Sequence, residues 1–526
     1  MERLIWMKLC GGYRRKRRNK PLLSQAVFLF IKNFPLFGIF LPILCAIVCL
    51  LLRERAAKWV TLSCLTVLTA LSAALLAHTI HSGESFVYVM GHFPAPYGNE
   101  LRAGTLEAFM ALLFCSVTLL SVNGGLKDIF GDIPEDKINL YFLMQNILTG
   151  AMLAVIFTND IFTAFVFIEI IIIAACSIIS VKPGGPTMAA TMVYLIMSLI
   201  GSSLLLLSIA MLYGITGHLL MPQLKESVAA IAATGEYTMP LFVLSGLIVA
   251  GLGIKSALVP FHGWLPNAHA NATTAASAVL SGLIIKCYPL LLIKLAYRVF
   301  GLETIALIRI PHVLLVFGVT GIIYGSWKAT RQRNIKRMLS YASISNIGFI
   351  FTAIGLNTEA GMAVACFHIA VHAIGKAALF TAAGGLAAVS GGRKDYGSLL
   401  GAARRDPFSG AAFIIGGLSM IGIPPLSGFA SKLFFVTAAL ETPYASLVMP
   451  VVVIISTVLS AMYYIPVMFN ILSKHGEPAI KKTPTGGTLS LSYRTTLAAF
   501  MALTLFLGLF PQQILRIIEQ GLAVFG

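Results

Sequence analysis

About fourteen apolar runs, each near the ~20 residues that a membrane-crossing helix needs, dominate this chain. They lie at 35–52, 59–77, 106–121, 139–157, 160–180, 188–213, 239–262 and 272–294, then at 312–327, 339–356, 361–389, 409–438, 447–472 and 495–513. One such stretch, for example Ile170 to Ile179, would suit a buried strand in a soluble protein. A succession of them with few polar residues between does not. Helices are the natural spanning element because each backbone group is satisfied inside its own segment. Composition agrees: 58% of the 526 residues are hydrophobic and 11% charged, against about 25% charged in soluble domains. An ordinary soluble enzyme and a disordered chain are both excluded. The expected fold is an all-α integral membrane protein.

Charge placement orients the bundle. Lys and Arg number 38 against 20 Asp and Glu, a net charge of +18. With the N-terminus outside, nineteen basic residues fall in inward loops, among them Arg53, Lys182, Lys328, Arg331, Lys336 and Arg393. Only Arg102, Lys225, Arg298, Arg309 and Arg516 fall outward. The positive-inside rule therefore places both termini outside.

Residues 1–34 disagree, with nine basic residues that include the run Arg14 to Arg18. Three readings stay open for this arm. Residues 21–34 lie along the interface and hold anionic lipid, the run contacts a partner subunit, or the chain starts downstream, as at Met7.

Five lysines remain, all inside or at the edge of apolar runs: Lys255, Lys286, Lys294, Lys376 and Lys432. Each costs roughly 2.5–3.5 kcal/mol at the centre of an isolated membrane helix. Lys294, near a helix end, is expected to snorkel. The other four need a partner or a water-filled path. Glu169 lies nine residues after Asp160, about 13 Å along its helix and near the bilayer middle. Lys255 is its natural counter-charge, since a lone buried carboxyl would be neutral.

Lys255 precedes Pro260, and Lys432 follows Gly422-Ile-Pro-Pro-Leu-Ser-Gly428, so spans seven and twelve each carry a break beside a lysine. Interrupted helices in corresponding places suggest two inverted five-helix repeats, spans four to eight and nine to thirteen. The chain then divides into a basic arm (1–34), three peripheral spans (35–138), the first repeat (139–294), the second (295–472), and a last helix with the C-terminus (473–526). His368, His372 and Lys376 share one helical face, a stripe suited to passing protons at neutral pH. The eight cysteines form no CxxC pair, and no Walker loop, GxGxxG or HExxH is present. No cofactor and no metal site is expected.

These segments together resemble the antiporter-like membrane subunits of respiratory complex I, membrane-bound hydrogenases and Mrp-type cation/proton antiporters. The resemblance rests on IFTAFVFIE (161–169), IKSALVPFHGWLPNAH (254–269), SGLIIK (281–286), IKRMLSYASISNIG (335–348), HIAVHAIGKAALF (368–380) and GIPPLSGFASK (422–432). It implies fourteen helices in two inverted repeats and a proton path. Glu169 and Lys255 would be the gating ion pair. Lys286, His368, His372 and Lys376 would form the central relay, and Lys432 the distal lysine.

Departures touch the loops. Asn267 and Asn334 stand where the family usually has Asp, Gly104 replaces an acid, and Val193 a basic residue. Lysine at 432 and no long amphipathic C-terminal helix make the D-type Mrp subunit and its hydrogenase counterparts the nearest resemblance.

The leading expectation is a proton-translocating subunit of a multisubunit antiporter in a prokaryotic cytoplasmic membrane. It would work with other membrane subunits, moving H⁺ and with Na⁺ as a candidate counter-ion, and would bind no nucleic acid. The alternatives are a membrane-arm subunit of an oxidoreductase, with redox chemistry on partners, and an energy-coupled partner for inorganic-carbon uptake.

Overall fold

The computed structural model describes residues 31–93, 98–474 and 490–523. The basic run Arg14 to Arg18 and most of the 21–34 segment lie outside the described residues. In chain order the principal helices are α1 (Phe34–Leu51), α2 (Glu54–Ser82), α3 (Thr105–Gly124), α4 (Glu135–Phe157), α5 (Ile161–Ser180), α6 (Gly185–Thr216), α7 (Thr238–Lys255) and α8 (Trp264–Asn271). They continue with α9 (Thr274–Phe300), α10 (Ile310–Thr330), α11 (Ile335–Gly355), α12 (Glu359–Ala388), α13 (Pro407–Ile421), α14 (Ser427–Leu440), α15 (Val448–Leu472), α16 (Leu491–Leu509) and α17 (Pro511–Ala523). Among the described residues thirteen helices are long and apolar enough to cross a membrane; α8, α13, α14 and α17 are shorter.

Side-chain patterning sorts these helices by depth in the bundle. Helices α9 and α12 are buried all round and α11 nearly so, as expected for helices apolar on every face. Peripheral helices instead turn large apolar side chains outward, including Ile47, Ile173, Ile454 and Phe469. A soluble protein hides such a surface, whereas lipid covers it without cost. Polar side chains start several helices by accepting bonds from free N–H groups. Asp160 accepts from Thr163 N at the head of α5, Asn334 from Lys336 N and Arg337 N on α11, and Thr358 from Gly361 N on α12.

Both expected breaks are present. After Lys255 the chain leaves the helix, makes one turn at Phe261–Gly263 and resumes as α8. Residues 422–426 separate α13 from α14, so the 409–438 run is two helices. Helix α9 contains wider π turns at Leu280–Ile284 and Ala296–Phe300, a feature absent from the expectation.

Several expectations need correction. The fold is all-α as expected, apart from one short antiparallel hairpin, β1 (Phe86–Val89) on β2 (Glu100–Ala103), between α2 and α3. Arg102, Arg298 and Lys336, expected in loops, are buried. Arg102 sits in β2, Arg298 in the last π turn of α9, and Lys336 in the first turn of α11.

Candidate functional site

Glycines let α6 and α7 approach closely. A Cβ on Gly201 would lie 2.8 Å from Gly251 O and 3.2 Å from Lys255 Cγ. This contact seats Lys255, the last residue of α7, against α6. Its Nζ donates to Ser202 Oγ (2.6 Å), Ser198 O (3.2 Å) and Glu169 Oε1 (3.5 Å). Ser202 in turn donates to Glu169 Oε1, so a hydroxyl bridges the ion pair. Trp264, fully buried against Tyr194, donates its indole N–H to Ile254 O (3.1 Å), which satisfies a carbonyl next to the break. Glu169 is less enclosed than expected. Lys255 is fully buried, but the carboxylate side chain keeps 27% of its exposure on the outer flank of α5.

The central groups line α9 and α12. Lys286 lies two residues past the first π turn of α9 and donates to Ser281 O within that turn. A π turn shifts the helical bonding register and can free a carbonyl for such a donor. Lys376 donates to Leu339 O (3.1 Å) and Tyr464 OH (3.2 Å). His372, one turn before Lys376 on α12, has no partner on either ring nitrogen among the described residues. Lys286 and Lys376 are both near enough for their charges to act on it. The rings of His372 and His368 stack with centroids 6.0 Å apart and planes at 20°. No group of three His, Cys, Asp or Glu able to hold a metal occurs among the described residues.

From His368 the line continues to α14. Its Nδ1 lies 2.7 Å from Ser431 Oγ, and Ser431 immediately precedes Lys432. Phe349 lies beside both groups, 5.6 Å from the His368 ring and 6.0 Å from Lys432 Nζ. Lys432 donates to Ile421 O (2.8 Å), the last carbonyl of α13, and to Thr457 Oγ1 (3.0 Å). A cation there meets the negative end of a helix dipole. The seven expected site residues thus form two groups, Glu169 with Lys255 between α5, α6 and α7, and Lys286, His368, His372, Lys376 and Lys432 on α9, α12 and α14.

One pattern runs through the buried lysines: backbone carbonyls hold them. Among the described residues only Lys255 of these lysines also meets a carboxylate within ion-pairing distance, the second ion pair being Lys182 with Asp132 at the surface. Lys336 donates to Ala272 O (3.0 Å). Lys294 does not snorkel. It is 2% exposed and donates to Val155 O, Ile156 O and Thr158 O, closing the end of α4.

Sequence reasoning missed Ser202, Tyr464 and Ser431, whose hydroxyls join the charged groups. It also missed His269, which is fully buried, stacked on Phe380 at 4.6 Å and, among the described residues, without a partner on either nitrogen. Lys286, Lys336 and Lys376 all act on it. The available signal was a serine pair four apart, Ser198 and Ser202, flanking Gly201 on one face of an apolar span.

Fold and site together define a class: a polytopic helical membrane protein with a buried line of ionisable groups and two interrupted helices. Residues 158–460 match the family described as "NADH:quinone oxidoreductase/Mrp antiporter, TM". The chain belongs to that family. It is 30% identical over 507 residues to NADH-quinone oxidoreductase subunit N of Desulforudis audaxviator, covering 93% of this chain and 98% of that one. A Staphylococcus haemolyticus protein named as an antiporter subunit, mnhD2, is 31% identical over 414 residues, 78% of this chain and 80% of its own. The solved Mrp complex of a Dietzia species contains a chain of the same fold, with TM-score 0.83 and 23% identity, covering 94% of this chain and 97% of that one.

Proposed function

We propose that this chain moves protons across a prokaryotic cytoplasmic membrane, as one subunit of a multisubunit cation/proton antiporter. The observation that carries this reading is how the buried lysines are held. Lys286, Lys376 and Lys432 rest on carbonyl and hydroxyl oxygens, which remain neutral whether or not the amine carries its proton. A lysine tied to a carboxylate would strand a buried anion on losing its proton, at a cost of several kcal/mol. These lysines can therefore give up and regain protons without breaking the fold.

Glu169, Ser202 and Lys255 form the gate. Separating Glu169 from Lys255 leaves the ammonium charge uncompensated and changes how readily Lys286 holds its proton. The proton then passes by way of His372, Lys376 and His368 to Lys432, with water as carrier between groups too far apart to touch. The two five-helix repeats, each interrupted beside a lysine, give the path its two halves, and both termini lie outside.

The test is initial-rate transport in inverted vesicles. Glu169→Gln keeps the side-chain shape and removes the charge, so transport should stop while the subunit still assembles. Lys432→Ala should block transport at unchanged protein level. Full transport in Glu169→Gln would overturn the gate. Likeness to subunit N favours a second reading, a membrane-arm subunit of an NADH:quinone oxidoreductase with redox chemistry on partner subunits. Purifying the native assembly and identifying its other subunits separates the two.

A further inference from the structure

A second charged cluster lies at the end of the bundle where α10 stops, α11 starts and span seven re-forms after its break. None of its residues enters the proposed proton path. Lys328 Nζ lies 5.2 Å from the Trp327 ring and 5.7 Å from the Tyr324 ring, and the Arg331 guanidinium lies 4.4 Å from Trp327. His262, in the turn between α7 and α8, packs on Tyr324 at 4.8 Å and faces Tyr341 at 6.5 Å. Its Nδ1 is buried and has no partner among the described residues. Arg337 completes the rim by donating to Asn267 Oδ1 (2.9 Å), an amide in place of a carboxylate.

Three basic side chains thus converge from two helices, and neither ion pair among the described residues includes them. Trp327 stays 40% exposed, and Arg331 and Arg337 are exposed as well. Elsewhere Lys58 lies alone over Trp59, the ordinary single anchor of a membrane boundary. The cluster differs in gathering several cations and aromatic rings on one end of the bundle, next to a histidine whose Nδ1 has no partner among the described residues.

The face above it fits a lipid tail. His312, Val316, Thr320, Trp327 and Arg331 form an exposed stripe along α10, with Val316 63% exposed. From Arg331 to Val316 is fifteen residues, about 22 Å of helix, which matches an acyl chain. Free phosphate would use the basic rim and leave this stripe bare.

We propose that this cluster binds the phosphate headgroup of an anionic phospholipid, with an acyl chain along α10. Arg331 and Arg337 offer forked N–H donors, Lys328 a point charge, and Trp327 and Tyr324 a boundary for the glycerol region. Because His262 belongs to the segment that re-forms span seven after Lys255, the lipid holds that segment against α10.

Fluorescence quenching by brominated lipids tests this in nanodiscs of the full chain. The Trp327 signal is isolated as the difference between the unchanged protein and Trp327→Phe. Brominated phosphatidylglycerol should quench it at about tenfold lower mole fraction than brominated phosphatidylcholine. Lys328→Ala with Arg331→Ala should erase the preference, and 1 M salt should weaken it in the unchanged protein, a check independent of how the variant folds. Equal quenching by both lipids at low salt would overturn the proposal. So would a preference that survives the double substitution, or shielding of Trp327 from both lipids in the native assembly, which would make the cluster a subunit contact.

Discussion

Lys294 and Lys286 show how similar residues take different roles. Both are buried amines on α9 that donate to carbonyls. Lys294 closes three carbonyls at the end of α4, and such groups left bare in a membrane cost roughly 1–3 kcal/mol each. Lys294→Ala should therefore destabilise the fold by about 3 kcal/mol while leaving transport per folded molecule intact. Thermal unfolding in detergent, read beside vesicle transport, checks this. Stability unchanged with transport lost would move Lys294 into the relay. Spacing placed this lysine near a helix end, but the sequence gives no sign of the neighbouring helix terminus that takes it up. The Glu169–Lys255 ion pair was legible, because an acid and a lysine in apolar surroundings demand each other. The bridging Ser202 was not, since a serine costs too little in a membrane helix to stand out.

At the level of elements, small residues decide where charge can sit. Gly201 and Gly251 bring α6 and α7 into contact, and that contact holds Lys255 over Ser198 and Ser202. Gly201→Ala would drive a methyl against Gly251 O and the Lys255 stem, an overpacking cost of about 1–3 kcal/mol. Its expected effect is a lower melting midpoint together with slower transport, because the displaced lysine loses its bridge to Glu169. Gly214→Ala on the same helix, with open space at the added carbon, should change neither. Equal behaviour of the two variants would show that the close approach does not position the gate. The breaks at spans seven and twelve could be read from proline and glycine beside lysine. The π turns of α9 could not, because they arise where packing makes a helix widen and no residue type announces them.

Across the whole molecule, the +18 net charge separates into tasks. In the proposed scheme the inward-loop charges orient the bundle, Lys255, Lys286, Lys376 and Lys432 lie on the proton path, and the cluster at the end of α10 takes a lipid headgroup. The proposed orientation rests on loop charge alone, so it survives the corrections at Arg102, Arg298 and Lys336. Removing those three still leaves the inward loops far more basic than the outward ones. A cysteine at Glu236, exposed between α6 and α7, should react with a membrane-impermeant maleimide applied to intact cells. A cysteine at Arg393, exposed between α12 and α13, should react only after the membrane is opened. Seven native cysteines lie in membrane-spanning helices, six of them buried, and Cys10→Ser removes the eighth, so labelling reports the added thiols. The reverse pattern would invert the bundle and with it the direction of proton flow. Labelling at both positions from one side would mean that an odd number of crossings does not separate them, contrary to the five expected, spans seven to eleven.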